Sequence, residues 1–254
     1  MTILGASFLP SNPPERLRSV ALAADEAGLD ELWLWEDCFL ESGIASTAAA
    51  LGWTQRLRVS VGLLPVPLRN VALTAMEAAT LLRLFPDRVN LAIGHGVQRW
   101  MEQVGERVES PMTLLREYAV ALRSLLDGER VTTTGRYVRL NEVELEWPPT
   151  SRPTILVGAV GPKTLRLAGE VGDGTVLTGG TTPDAVRAAR QTLGAGPSIV
   201  VYLSATGDAP TVAAEVRRFA EAGADSIVLQ PSADEPDPEG FVRFVATEVR
   251  PLVP

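Results

Sequence analysis

Cysteine, histidine and long apolar runs are what this chain lacks. Cys38 is the only cysteine, so no disulfide can close within the chain, which fits a reducing compartment. His95 is the only histidine; without a His/Cys cluster or a His-Glu-x-x-His pair, no metal is expected. No stretch reaches the ~20 apolar residues of a membrane span, and no basic segment leads an apolar one at the N-terminus. A cytoplasmic protein without a membrane partner is therefore expected. Clustered basic residues are missing too, and the formal net charge of −8 argues against nucleic acid. No Gly-x-Ser-x-Gly elbow is present for a serine hydrolase. Glu36 and Asp37 are adjacent, and neighbours on a strand face opposite ways, so they make a poor pair for glycoside chemistry.

What is present is a repeated rhythm. Apolar residues make up 46% of the 254, enough for one sizeable core. Short apolar runs are expected as strands beginning near residues 3, 31, 57, 88, 154, 175, 198 and 225, with amphipathic helical patterns between them. Gly28 ends one helix, and Asn70 and the Thr182-Pro183-Asp184 run open others. Ala27-Gly28-Leu29-Asp30 is echoed by Ala222-Gly223-Ala224-Asp225, each a helix end, a glycine stop and a strand start. The spacing predicts an α/β fold, a (β/α)8 TIM barrel spanning 1–254 as a single domain. A doubly wound open sheet is the alternative. The wide gap between the fourth and fifth strands predicts an insertion over about 97–153. It holds a helix opened by Ser110-Pro111 and a hairpin of 131–134 against 137–140.

On the barrel reading, function belongs at the C-terminal strand ends. The stretch 154–190 draws most interest there. The run 155–157 breaks into Gly158-Ala159-Val160-Gly161-Pro162 and a helix. Glycines admit close backbone approach, and a helix start presents unpaired N–H groups and partial positive charge, which suits a phosphate. A tight strand-to-helix turn that merely needs glycine is the plainer reading. Glycine turns at two strand ends, with few titratable groups, suit a phosphate-bearing cofactor that carries its own chemistry.

The runs Gly94-His95-Gly96, Trp100-Met101-x-Gln103-Val104-Gly105 and Ser110-Pro111-x-Thr113-Leu114-Leu115-Arg116-Glu117-Tyr118 resemble the bacterial luciferase-like monooxygenase family. So do 64–70 (Leu-Pro-Val-Pro-Leu-Arg-Asn) and 161–170 (Gly-Pro-Lys-Thr-Leu-Arg-Leu-Ala-Gly-Glu). The resemblance is greatest to the branch using the deazaflavin coenzyme F420 rather than FMN. It implies a small-molecule substrate, a homodimer, and a flavin-type ring in the barrel mouth with its phosphate on the amides of Val160 and Gly161. It also implies a bulge with a cis non-prolyl peptide near Gly62-Leu63. Asp37, Gly62, Leu63, Gly94, Gly96, Gly158, Val160, Gly161, Pro162, Thr178 and Gly179 are the expected cofactor-binding residues. Cys38 and His95 are the catalytic candidates. Cys38 departs from the branch pattern, where histidine is frequent, and Val97 stands where some relatives carry an acid.

Each candidate has a plainer reading. His95 could hold a loop, Cys38 could be an inert packed thiol, and Asp37 could be a loop anchor. Trp33 and Trp35 alternate on one strand and are read as barrel packing. Trp100 and Met101 lie where a lid over the substrate belongs, or pack on the next helix. Lys163 could face the cofactor's anionic tail or only solvent. Three functions follow: a deazaflavin-dependent hydride-transferring oxidoreductase, an FMN-dependent monooxygenase, or a non-catalytic cofactor-binding relative.

Overall fold

The computed structural model describes residues 2–253. Eight parallel strands close into a barrel: β1 (Ile3–Ser7), β2 (Glu31–Leu34), β3 (Arg58–Pro65), β4 (Val89–Gly94), β7 (Ile155–Ala159), β8 (Gly174–Leu177), β9 (Ser198–Ser204) and β10 (Ser226–Gln230). Around the ring the order is β1-β10-β9-β8-β7-β4-β3-β2. These strands are buried on both faces, which is why they read as apolar runs rather than alternating ones. Residues facing outward pack under the helices, while Trp33, Ala92, Leu156, Val176, Val200, Tyr202 and Val228 fill the interior as a separate apolar cluster.

Helices α1 (Leu17–Ala27), α2 (Gly43–Trp53), α3 (Val71–Leu84), α5 (Pro111–Leu126), α6 (Pro162–Val171), α7 (Pro183–Leu193), α8 (Ala209–Glu221) and α9 (Pro238–Phe244) surround the strands. Gly28 closes α1 at φ 76°, Asn70 Oδ1 accepts from Ala72 N at 2.9 Å to open α3, and Thr182 Oγ1 accepts from Ala185 N. Several boundaries differ from the sequence reading. Helix α2 begins at Gly43, where Ser42 caps it and the Gly43 amide donates to Glu36 at 2.8 Å. Ser110 Oγ bonds the Thr113 hydroxyl at 2.8 Å instead of capping a backbone amide. The last helix changes to a π-helical turn over Val245–Val249.

Between β4 and β7 lie α4 (Gln98–Gln103), α5 and a two-stranded hairpin, β5 (Val131–Thr134) with β6 (Arg139–Val143). Helix α5 packs against both α3 and α6, so it is the fourth helix of the ring; the additions to the barrel are α4 and the hairpin. The second hairpin strand starts later than 137. The Glu117 carboxylate takes the amides of Arg136, Tyr137 and Val138 at 2.8–3.0 Å, which ties the hairpin tip to α5 and removes those groups from the ladder. Among the described residues no helix is long and apolar enough to cross a membrane.

Candidate active site

Strand β3 shapes the mouth. Its register against β4 slips between Gly62 and Leu64, and the Gly62–Leu63 peptide is cis, as the resemblance implies; Cys38–Phe39 is a second cis bond. The slip turns Leu63 inward across the barrel top. A methyl group added to Gly158 would lie 2.3 Å from Leu63 Cδ2, and one on Gly62 would lie 2.4 Å from the Tyr202 hydroxyl. Both glycines are required by these close approaches. Tyr202 donates to the Gly62 carbonyl at 2.9 Å and meets Trp33 and Trp35 edge-on, with ring centres 5.8 and 5.6 Å away. Burial raises the Tyr202 phenol well above its ordinary pKa, so it stays a neutral donor.

Above this floor lies a cavity of about 430 Å³, largely apolar in its lining. Leu63, Pro65, Trp35, Val97, Trp100 and Val160 form its apolar walls. Asp37, His95, Thr164, Thr178, Gln230 and Glu36 supply polar groups. Its size lies in the ordinary range for small-molecule sites. Two atoms of lining residues lie buried behind the cavity surface: His95 Nδ1 has no hydrogen-bond partner, and Trp35 Nε1 has only the Tyr202 hydroxyl beside it. His95 Nε2 lies 3.3 Å from Thr164 Oγ1, and burial lowers the imidazole pKa, against a smaller opposing pull from the Pro111 carbonyl. The ring is neutral near pH 7. Burial raises the Asp37 carboxyl. Neither an ion pair nor a side-chain hydrogen bond involves Asp37 among the described residues, whereas Glu36 is held by Arg69 through two contacts of 2.7 and 3.0 Å.

The expected cofactor residues Asp37, Gly62, Leu63, Gly96, Gly158, Val160, Thr178 and Gly179, and the catalytic candidate His95, all line this cavity. Gly94 does not: it lies beneath Leu63, whose Cδ2 would be 2.7 Å from an added methyl. Gly161 caps α6 and Pro162 is its exposed first residue, so both stand at the rim. Val160 is 88% exposed at that rim. The amides of Val160 and Gly161 donate to no group among the described residues. Lys163 follows, exposed in the first turn of α6. Cys38 does not line the cavity; it lies in a neighbouring groove with Phe39, Leu40, Leu68 and Leu73, which Glu36 and Asp37 share with the mouth. Burial, then Glu36 and Asp37, hold its thiol above the ordinary range, which removes the thiolate a nucleophile needs.

Sequence reasoning treated Trp35 as packing, but it lines the mouth; Trp33 is the packing residue, with Nε1 on Glu31 at 2.8 Å. Trp100 reaches the cavity while Met101 is fully buried. Tyr202 was missed. Tyr202 shares inward parity with Val200 on β9, which was the available signal.

A closed (β/α)8 barrel with a largely apolar cavity at the C-terminal mouth, floored by aromatics and flanked by a free helix start, defines an α/β barrel with a pocket of small-molecule size at its active face. The sequence model described as luciferase-like monooxygenase matches residues 3–198, and the chain belongs to that family. A 5,10-methylenetetrahydromethanopterin reductase from Methanolobus tindarius is 31% identical over 188 residues, which cover 74% of this chain and 57% of that protein. An F420-dependent hydroxymycolic acid dehydrogenase from Mycobacterium tuberculosis is 30% identical, over 94% of this chain and 69% of that protein. The chain thus spans a little over half the length of the methanopterin reductase it matches. Among solved structures, the coenzyme F420-dependent tetrahydromethanopterin reductase from Methanopyrus kandleri superposes with a TM-score of 0.86 at 17% identity, covering 98% and 99% of the two chains.

Proposed function

We propose that this protein is an oxidoreductase that holds coenzyme F420 in the barrel mouth and reduces or oxidises a small organic substrate there. The observation that carries this reading is the pairing, on one cavity, of a free helix start at Val160–Gly161 with an apolar shelf built by Leu63 over Gly158. The amides would take the phosphate. Leu63 would back the ring, with Trp35 and His95 on the walls beside it. When bound, the deazaflavin would supply the site that gives or accepts the hydride; the protein's part is to orient ring and substrate and exclude water. The F420 dependence of the Mycobacterium tuberculosis relative supports this coenzyme. His95 lies within reach of the mouth as the candidate proton-handling group; Cys38, facing another groove, is outside that role.

Titration of the purified protein with oxidised and reduced F420 tests the reading, and a dissociation constant above the millimolar range sinks it. FMN is the second reading, favoured by the family's monooxygenase description; a yellow protein that consumes oxygen with a reductase present would select it. Turnover of any acceptor separates both from a non-catalytic relative.

A homodimer belongs to the same proposal. Leu73, Met76 and Leu84 are exposed on α3, and Leu73 shares a groove with Phe39 and Leu40 of the β2–α2 connection. Clustered exposed apolar side chains of this kind are often covered by a partner. Light scattering at twice 27.1 kDa, falling to the single mass in Met76→Glu, is the expected result.

A further inference from the structure

The wall of the mouth that follows β2 stands beyond the sheet. The paired register of β2 ends at Leu34, opposite Val61 of β3, so Trp35, Glu36 and Asp37 lie past the ladder. Trp35 and Asp37 line the cavity all the same. Strand pairing does not fix them, and among the described residues Asp37 forms no ion pair of its own. The residue between them supplies the anchor. Glu36 borders the mouth, but its side chain is only 9% exposed and its carboxylate is drawn to the helix layer. Oε1 accepts from Arg69 Nε at 3.0 Å, and Oε2 accepts from Arg69 Nη2 at 2.7 Å and from the amide of Gly43, the first residue of α2, at 2.8 Å. A carboxylate so engaged has little left to offer a ligand.

Arg69 is as fully committed. Its side chain is 15% exposed, and Nη1 meets both Glu77 oxygens at 3.0 and 3.2 Å. Glu77 belongs to α3, and Asn70, the next residue after Arg69, opens that helix. The planar guanidinium therefore ties the segment past β2 to the third helix, with a fork that an ammonium group cannot copy. Gripping residue 36 by two parallel bonds also limits how the peptide planes on either side of it rotate, and those planes carry Trp35 and Asp37.

We propose that Arg69 is a positioning residue of the mouth: through Glu36 it holds Trp35 and Asp37 in the place from which they meet the bound coenzyme. This rests on the reading of the mouth as the F420 site. Arg69 lies outside the cavity lining, so its influence on binding runs through Glu36. A general brace would loosen the whole barrel when lost; a positioning residue disturbs the segment past β2 and leaves the floor beneath it in place.

Fluorine NMR on protein grown with fluorotryptophan separates the two. Each of the five tryptophans gives a signal, and Trp35→Phe and Trp33→Phe assign the pair on this strand. Arg69→Lys keeps the charge and loses the fork. It should shift or broaden the Trp35 signal and leave that of Trp33, which is anchored on Glu31 at 2.8 Å. Glu36→Gln, which leaves Arg69 paired with Glu77, should give the same pattern and stands in if the lysine variant fails to fold. Titration with F420 should show a loss of about tenfold in each. Because both break one contact, the double variant should lose no more than about twofold beyond the weaker single. A Trp35 signal that stays put, a Trp33 signal that moves as far, or additive losses of affinity overturns the proposal. If the native protein does not bind F420 while the fluorine pattern holds, the coenzyme reading falls and the anchoring of Trp35 stands. If F420 binds and neither variant weakens it beyond about twofold, the coenzyme reading stands and the role of Arg69 falls.

Discussion

The two ends of the barrel interior are built on opposite terms. At the N-terminal end, the buried Glu31 carboxylate accepts from Trp33 Nε1 at 2.8 Å, Asn90 Nδ2 at 3.0 Å and Ser226 Oγ at 3.4 Å, and pairs with Arg58. Asn90 also bonds Ser60 at 3.2 Å, so the plug is closed on itself. At the C-terminal end, His95 Nδ1 has no partner, Trp35 Nε1 has only the Tyr202 hydroxyl beside it, and among the described residues Asp37 has no counter-ion. Both ends use a carboxylate and an indole on β2 or just beyond it. Only the lower pair is joined. Satisfied polar groups rigidify a core, while unsatisfied ones around a cavity cost stability and are retained where a ligand will use them.

Four substitutions sharpen or break that contrast. Glu31→Ala should be the most damaging, because it strands Arg58, Asn90 and Trp33 Nε1 together; a loss of about 3 kcal/mol is expected in urea unfolding. Coenzyme affinity of the remaining folded protein should not move, and a parallel loss of affinity would show that the ends are coupled. Gly158→Val comes next: its side chain must evict Leu63 from its seat, costing about 1–3 kcal/mol and weakening F420 binding at least about 30-fold by titration. Tyr202→Phe leaves the Gly62 carbonyl unpaired and should cost about 1 kcal/mol in the same urea assay.

Asp37→Asn should have the smallest effect and the opposite sign. Burial raises the folded carboxyl above its ordinary value of 3.8, so in the window just above that value the folded state keeps a proton that the unfolded state releases. Stability is then present below the window and lost as pH rises through it. The amide should raise the melting temperature at pH 7 by about 1–3 °C, with no gain at pH 3. A lower melting temperature at pH 7 would mean that Asp37 has a favourable native partner, and the contrast between the ends would fail.

Much of this architecture was legible before any coordinates. Strand starts at regular intervals, with Gly28 and Asn70 as punctuation, led directly to the barrel, and the glycine turn at Gly158 led to the mouth. What escaped was depth and contact. Trp33 and Trp35 share parity on one strand, so pattern alone cannot tell which sits low beside Glu31 and which tops the wall. Tyr202 meets them only once the ring closes, across 140 residues of sequence from Gly62. Helix α5 reads as part of an insertion until its contacts with α3 and α6 are seen. Cys38 adjoins Asp37 in sequence, yet only Asp37 lines the mouth; the thiol lines a neighbouring groove that Asp37 borders too.

Lys163 carries the only side-chain primary amine of the molecule, and it stands exposed one residue inside α6, at the rim beside Val160. Amine-directed chemistry therefore has a single side-chain address, and that address overlooks the entrance. A fluorophore coupled there would watch traffic into the barrel without any engineered cysteine, and five indoles, two of them on the wall, would serve as its donors.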